Sequence, residues 1–294
     1  MGVALAVDVG GTKLAAAIVD DDGAVVPTTA RSVPTPRHGD ADALFGVLAG
    51  VIDAVIEACP YEIDVCGVGC GGPMAPAGEQ VSPLNIGAWR AFPLRARLAA
   101  HLQLPVHVDN DAKALALGEG WVGAARGERS FLAMVVSTGV GGGIVLNGRL
   151  LDGDLGNAGH IGHVIVEPGG LLCACGARGC LEAEASGTAI RTMTGRAPVD
   201  APAPVRTRTG RLVGRAIASV ANLLDLRLAV VSGSVALGYG SGFFLAAQHE
   251  IDRSARLEFS RGTRIQPGGL GAEGPLVGAA AVGWRAAGRD IGIA

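Results

Sequence analysis

The sequence predicts an α/β protein of two similar domains facing a shared cleft, and three features carry that expectation. A strand–glycine turn–strand unit near the start of the chain recurs at residues 131–146. Short valine-rich runs alternate with longer stretches of helical periodicity, the pattern of sheets covered by helices. Of the 294 residues 49% are hydrophobic and only 17% charged, which is enough apolar side chain for two modest cores. The expected domains are 1–117, completed by a C-terminal helix at 275–294, and 118–274.

Residues 3–9, VALAVDV, read as a buried strand ending at Gly10-Gly11, and LAAAIVD follows as a second strand up to the Asp21-Asp22-Gly23 turn. Because the glycine turn joins two strands, it is no Walker loop, which needs G-x-x-x-x-G-K-[ST] opening a helix; the two lysines, Lys13 and Lys113, stand outside that pattern. A hairpin with an aspartate ending its first strand resembles the phosphate grip of actin-like kinases. There the turn amides of Gly10, Gly11, Thr12 and Lys13 would face phosphate oxygens and Asp8 a magnesium ion. The alternative for such a turn is a plain β-turn.

Leu44, Val47, Leu48, Val51, Ile52, Val55 and Ile56 share one helical face, after acidic residues at 40 and 42 that suit a helix start. The next strand ends in GVGCGG. These letters match the dinucleotide fingerprint, but Pro73 and Pro76 stand where its helix should open. VSPLNIGAWRAF, 81–92, reads as a loop. LPVHVDNDAKALALGEG reads as a strand passing into a helix through Asp109-Asn110-Asp111, where capping would use only one of the two aspartates.

In the repeat, FLAMVVSTGVGGGIVL, the bend falls at Ser137-Thr138-Gly139 and further glycines follow from Gly141. Residues 156–182 then gather His160, His163, Cys173, Cys175 and Cys180 in a glycine-broken loop. Three thiolates and one imidazole suit a closed, tetrahedral and therefore structural zinc site. Ordinary cysteines or a disulfide are the alternatives, although a disulfide would orphan the third sulfur. Residues 195–210, rich in proline and arginine, read as a loop, with a helix from Leu212 to Leu226, the strand RLAVVSG, and a last helix from Pro275 to Ala287.

The run G-H, ten residues on to C-x-C-G-x-x-G-C-x-E, resembles the signature of the ROK family of sugar kinases and repressors, and VDVGGTK resembles its first phosphate motif. The resemblance spans nearly the whole chain and implies an actin-like ATPase (ribonuclease H-like) fold acting as an ATP- and magnesium-dependent hexose kinase. It assigns zinc to His163, Cys173, Cys175 and Cys180. Sugar contacts would fall to Gly72, Asn85, Asn110, Asp111, His160, His163 and Glu182, with Asp111 as general base. ATP contacts would include Thr138, Gly139, Gly141 and the purine-admitting Gly233. Lys113 stands where the family usually has a neutral residue, and 195–210 suggests a trimmed lid.

ROK glucokinases mostly read G-E-x-G-H where this chain has Gly159-His160-Ile161-Gly162-His163, the form of the family's N-acetylmannosamine kinases. Glucose, the commonest acceptor in the family, is nevertheless slightly favoured here over N-acetylmannosamine, with phosphorylation at the 6-hydroxyl. ROK repressors place a helix-turn-helix before the kinase-like core, whereas Val3 already begins a strand, so a regulator is the remote alternative. A net charge of −3 gives no general field for nucleic acid. No apolar run reaches a bilayer's width and no signal peptide is evident, which with the cysteine usage suits the cytoplasm. The resemblance implies a homodimer or homotetramer.

Overall fold

The computed structural model describes residues 2–294. In chain order its strands are β1 (Val3–Val9), β2 (Lys13–Asp20), β3 (Arg31–Pro34), β4 (Val65–Cys70), β5 (Val106–Asn110), β6 (Phe131–Val136), β7 (Val140–Leu146), β8 (Arg149–Leu150), β9 (Leu228–Ser232) and β10 (Arg264–Pro267). The α-helices are α1 (Ala41–Glu57), α2 (Leu94–Leu102), α3 (Asp111–Trp121), α4 (Leu181–Ala185), α5 (Gly187–Thr194), α6 (Ala203–Leu224), α7 (Ser234–Tyr239), α8 (Ser241–Ser254) and α9 (Gly274–Ala286).

The sheets run β3-β2-β1-β4-β5 and β10-β9-β6-β7-β8, so read from the opposite edge the second repeats the order of the first. In each, an antiparallel hairpin (β1-β2, β6-β7) is extended by a parallel partner of its first strand (β4, β9) and then by a further parallel strand (β5, β10). This is the duplicated, actin-like α/β architecture that the repeated glycine hairpin predicts.

The chain divides into two compact units, Met1–Gly127 with Gly148–Ala158 and Leu270–Ala294, and Glu128–Asn147 with Gly159–Gly269. In the first, the apolar stripe of α1 packs Leu44, Leu48, Ile52 and Val55 against Leu5, Leu14 and Ile18 of the sheet. Asp40 starts the helix, its Oδ1 accepting the amide of Ala43 at 2.8 Å. The stretch 81–92 is pinned by Trp89, fully buried and stacked on Phe92 at 4.5 Å, so only parts of that loop reach the surface. Helix α9 lies against α3 and β4 at backbone distance. A Cβ on Gly67 would strike the Ala279 carbonyl, and one on Gly118 would lie 3.0 Å from the Gly278 amide.

In the second unit α6 and α8 pack together, with Gly210 so close to Phe243 that a Cβ would lie 2.5 Å from its carbonyl oxygen. Helix α6 begins at Ala203, nine residues before the expected Leu212, and α5 precedes it, so 195–210 is only in part the loop the composition suggests. Pro204 sits in the first turn, where its missing N–H costs nothing. The arginines conceal the helical stripe of Thr209, Leu212, Val213, Ala216 and Ile217, yet several are paired: Arg208 with Glu184, and Arg215 with Glu250. No helix among the described residues is long and apolar enough to cross a membrane.

Candidate active site

In the first unit the β1–β2 turn is closed by Gly10 N–H donating to the Lys13 carbonyl at 3.0 Å. Thr35, which sequence reasoning passed over, braces it twice: its hydroxyl donates to the Gly10 carbonyl at 2.7 Å and its amide to the Thr12 carbonyl at 3.1 Å. Gly11, Thr12 and Lys13 stay exposed, leaving a turn shaped to offer backbone amides to an anion. Asn85 lies against this turn, since a Cβ on Gly11 would fall 2.5 Å from the Asn85 Cβ. Gly72 stands beside the same loop, accepting the Leu84 amide at 3.2 Å.

Asp8 is the one residue of β1 that is not fully buried. Desolvation, with the charge of Asp111 added and that of Lys13 opposing, pushes its carboxyl up to about 7. Cys70, at the end of the neighbouring β4, feels the same two aspartates as well as burial, and its thiol is held well above the usual range. Asp8 and Asp111 therefore form one carboxylate neighbourhood at the C-terminal ends of β1 and β5, the parallel strands on either side of β4, where open α/β sheets bind ligands.

Asn110 turns out to be the cap of α3, its side-chain oxygen accepting the Ala112 amide at 3.0 Å and that of Lys113 at 3.4 Å. Neither flanking aspartate is spent on that role. Asp111 is left exposed at the first helical position, its Oδ1 2.8 Å from the Ala112 amide. Asp109 points elsewhere, to Lys113 at 2.8 Å.

In the second unit the β6–β7 turn holds Thr138 and Gly139, closed by Ser137 N–H to the Gly139 carbonyl at 2.9 Å. Thr188 at the start of α5 braces it, donating from both amide and hydroxyl to the Thr138 carbonyl. Gly233 stands at the same edge with φ 102°, too close to Val136 to carry a Cβ, and Ser234 Oγ reaches Ser137 Oγ at 2.9 Å. Gly141 follows in β7, opposite Val135. Glu182, in α4, joins this group: its Oε2 accepts the Val140 amide at 3.0 Å, a contact that no motif signals.

His163, Cys173, Cys175 and Cys180 have ligand atoms within 4.8 Å of one another. Cys173 Sγ lies 3.7 Å from His163 Nδ1, and Cys175 Sγ lies 3.7 Å from Cys180 Sγ. Ligands ~2.3 Å from a central ion in a tetrahedron are ~3.8 Å apart, so these two pairs already have the spacing of a tetrahedral zinc site. All six cysteines stand as free thiols. The His160 ring stands 6.1 Å from that of His163 and outside the four-ligand set. Behind the loop, the buried Glu184 accepts the Leu171 amide at 2.6 Å and pairs with Arg208.

The class defined by this fold and these hairpins is the actin-like ATPase fold of the ROK sugar kinases. The ROK family profile matches residues 4–285, and the chain belongs to that family. It is 36% identical over 258 residues to an N-acetylmannosamine kinase of Yersinia pestis bv. Antiqua (strain Angola), a match covering 82% of this chain and 86% of the relative. Among solved structures it resembles the ROK family glucokinase from Streptomyces griseus in complex with glucose and AMPPNP (TM-score 0.84, 28% identity, 97% of this chain and 100% of that one). It also resembles the ROK hexokinase from Thermus thermophilus (TM-score 0.83, 32% identity, 97% and 99%).

Proposed function

We propose that the protein is an ATP-dependent kinase that phosphorylates the 6-hydroxyl of an N-acetylhexosamine, with N-acetylmannosamine the favoured acceptor. The observation that carries the kinase reading is the carboxylate pair: Asp8 and Asp111 sit together at strand ends beside a glycine hairpin, and their proximity helps to raise the Asp8 carboxyl to about 7. A desolvated carboxylate facing a second one is a site that gains from a divalent cation, so these residues suit magnesium. When bound, magnesium neutralises charge on the triphosphate.

The chain's own residues divide the remaining work. Asp111, exposed at the start of α3, is the general base, taking the proton of the acceptor hydroxyl as its oxygen bonds to the γ-phosphorus and ADP leaves. Asn110 and Asn85 in the first unit, and His160 and Glu182 in the second, are the candidate acceptor contacts. The amides of Gly11, Thr12 and Lys13 and of Thr138, Gly139 and Gly141, with Gly233, are those for ATP, while those of Gly10 and Val140 are given to the Lys13 carbonyl and to Glu182. The cysteine–histidine cluster holds a structural zinc that stiffens the loop between His160 and Glu182, supplying folding free energy rather than chemistry.

The slight preference for glucose in the sequence reading gives way here. His160 stands where the resemblance puts a glutamate in most ROK glucokinases, and the 36% identical relative is an N-acetylmannosamine kinase. A carboxylate can accept from two adjacent hydroxyls, while a neutral imidazole offers one donor and one acceptor, which suits a 2-acetamido group beside a hydroxyl better than a vicinal diol. The test is kcat/KM for N-acetylmannosamine, N-acetylglucosamine, mannose and glucose, in wild type and His160→Glu. The expected result is a preference for the N-acetylated sugars that falls by ~10-fold or more in the variant, the range for one mismatched polar contact. Unchanged ratios would remove His160 from specificity, and a glucose-preferring wild type would overturn the acceptor assignment.

A further inference from the structure

We propose that Lys113 is a positioning residue for phosphoryl transfer: its buried ammonium ties the turn that carries Asp111 to the 148–158 segment that leads into His160. The inference rests on the kinase reading above. Lys113 is the third residue of α3 and is 2% exposed. Its Nζ lies 2.8 Å from Asp109 Oδ1, 2.6 Å from Asp152 Oδ1 and 3.2 Å from the Gly156 carbonyl, which satisfies all three ammonium donors. Asp109 passes the constraint on, since its Oδ1 also accepts the Asn110 amide at 2.7 Å, immediately before the base. On the other side Asp152 is met by Arg285 of α9 at 3.6 Å.

The segment is not held here by close packing. A cavity of about 310 Å³ lies against the cluster, lined by Met74, Pro76, Val108 and Gly153 together with the ion group itself. Directional contacts therefore fix the backbone at this point. The same segment is stapled once more where Asn157 exchanges hydrogen bonds with both backbone groups of Met74, at 3.3 and 3.1 Å. A buried ammonium is a costly way to fill space, because an apolar side chain of similar length avoids the desolvation. What the charge adds is three bonds in fixed directions to two separate stretches of chain. Burial also pushes the Asp109 carboxyl up, and the Lys113 charge is what opposes that, so removing the lysine strands a buried acid next to the base.

The experiment compares wild type, Lys113→Met, Asp152→Asn and Lys113→Met/Asp109→Asn in steady-state assays with ATP and N-acetylmannosamine, well below each variant's melting temperature. Lys113→Met should lose ~10²-fold in kcat, the cost of a base misplaced by about an ångström, with KM for ATP within about twofold. Adding Asp109→Asn should recover ~10-fold, because removing both members of a buried pair is milder than stranding one. A merely structural lysine would lower the melting temperature and leave kcat per folded molecule unchanged, which overturns the proposal. Should Lys113→Met not fold, Asp152→Asn carries the test: its partner carboxyl is half-exposed, and a kcat equal to wild type would refute the tie. A wild type that transfers no phosphoryl group fails the kinase reading itself. One that transfers as well as Lys113→Met fails this inference alone.

Discussion

Asp8→Asn should make the protein more stable and inactive at the same time, and the gain should grow as pH rises above about 4 and level off above about 7. In the fold the Asp8 carboxyl is raised from 3.8 to about 7 by desolvation and by Asp111. A carboxyl that holds its proton more tightly in the folded state contributes stability that is fully present below about pH 4 and is lost as pH rises through about 7. The difference is about 3 pH units, which at ~1.4 kcal/mol each is an upper figure of about 4 kcal/mol. Asp8 is only partly buried by area, so 2–4 kcal/mol is the working range, as an order of magnitude. Asparagine has nearly the same shape and no charge to desolvate. At about pH 8, without nucleotide or metal, the variant's melting temperature should rise by roughly 5–12 °C, and at about pH 4 the two proteins should melt together. Thermal melts across that pH range, paired with phosphoryl-transfer assays, check both halves. A variant that melts at or below wild type at alkaline pH, or that differs equally at both ends, would refute the electrostatic account of Asp8.

Two further outcomes follow from the same geometry. Asp111→Asn should fold and bind ATP normally while kcat falls ~10²-fold or more, the usual worth of a general base, and turnover within a few-fold of wild type would move that role, with Asp109 the next residue to test. Metal analysis should find about one zinc per chain, and Cys175→Ser should lose both the metal and most activity through collapse of the loop between His160 and Glu182; metal-free protein with full activity would count against the site.

Much of the architecture is written in local patterns that survive without tertiary context. The valine runs of β1 and β6, each broken by glycine, mark both hairpins, and the stripe of α1 with Asp40 before it marks a helix and its start. The cluster of His163, Cys173, Cys175 and Cys180 is legible because its members fall within a short stretch of chain. Less legible was anything set by partners distant in sequence. Arginines of α6 that pair with Glu184 and Glu250 look like a solvated loop until those acids are in place. Thr35, far along the chain from the turn it braces, carries no motif at all. Asn110 caps α3 where the sequence suggested one of its flanking aspartates, because capping depends on backbone angles and a D-N-D triplet allows any of the three to cap.

Phosphorus NMR of the protein mixed with magnesium ATP and N-acetylmannosamine tests the central claim most directly. The account predicts that the γ-phosphorus signal of ATP decays as a sugar 6-phosphomonoester and ADP grow in together, and that Asp111→Asn slows this by ~10²-fold or more. ATP that stays intact, or that yields only inorganic phosphate whatever sugar is present, would contradict it.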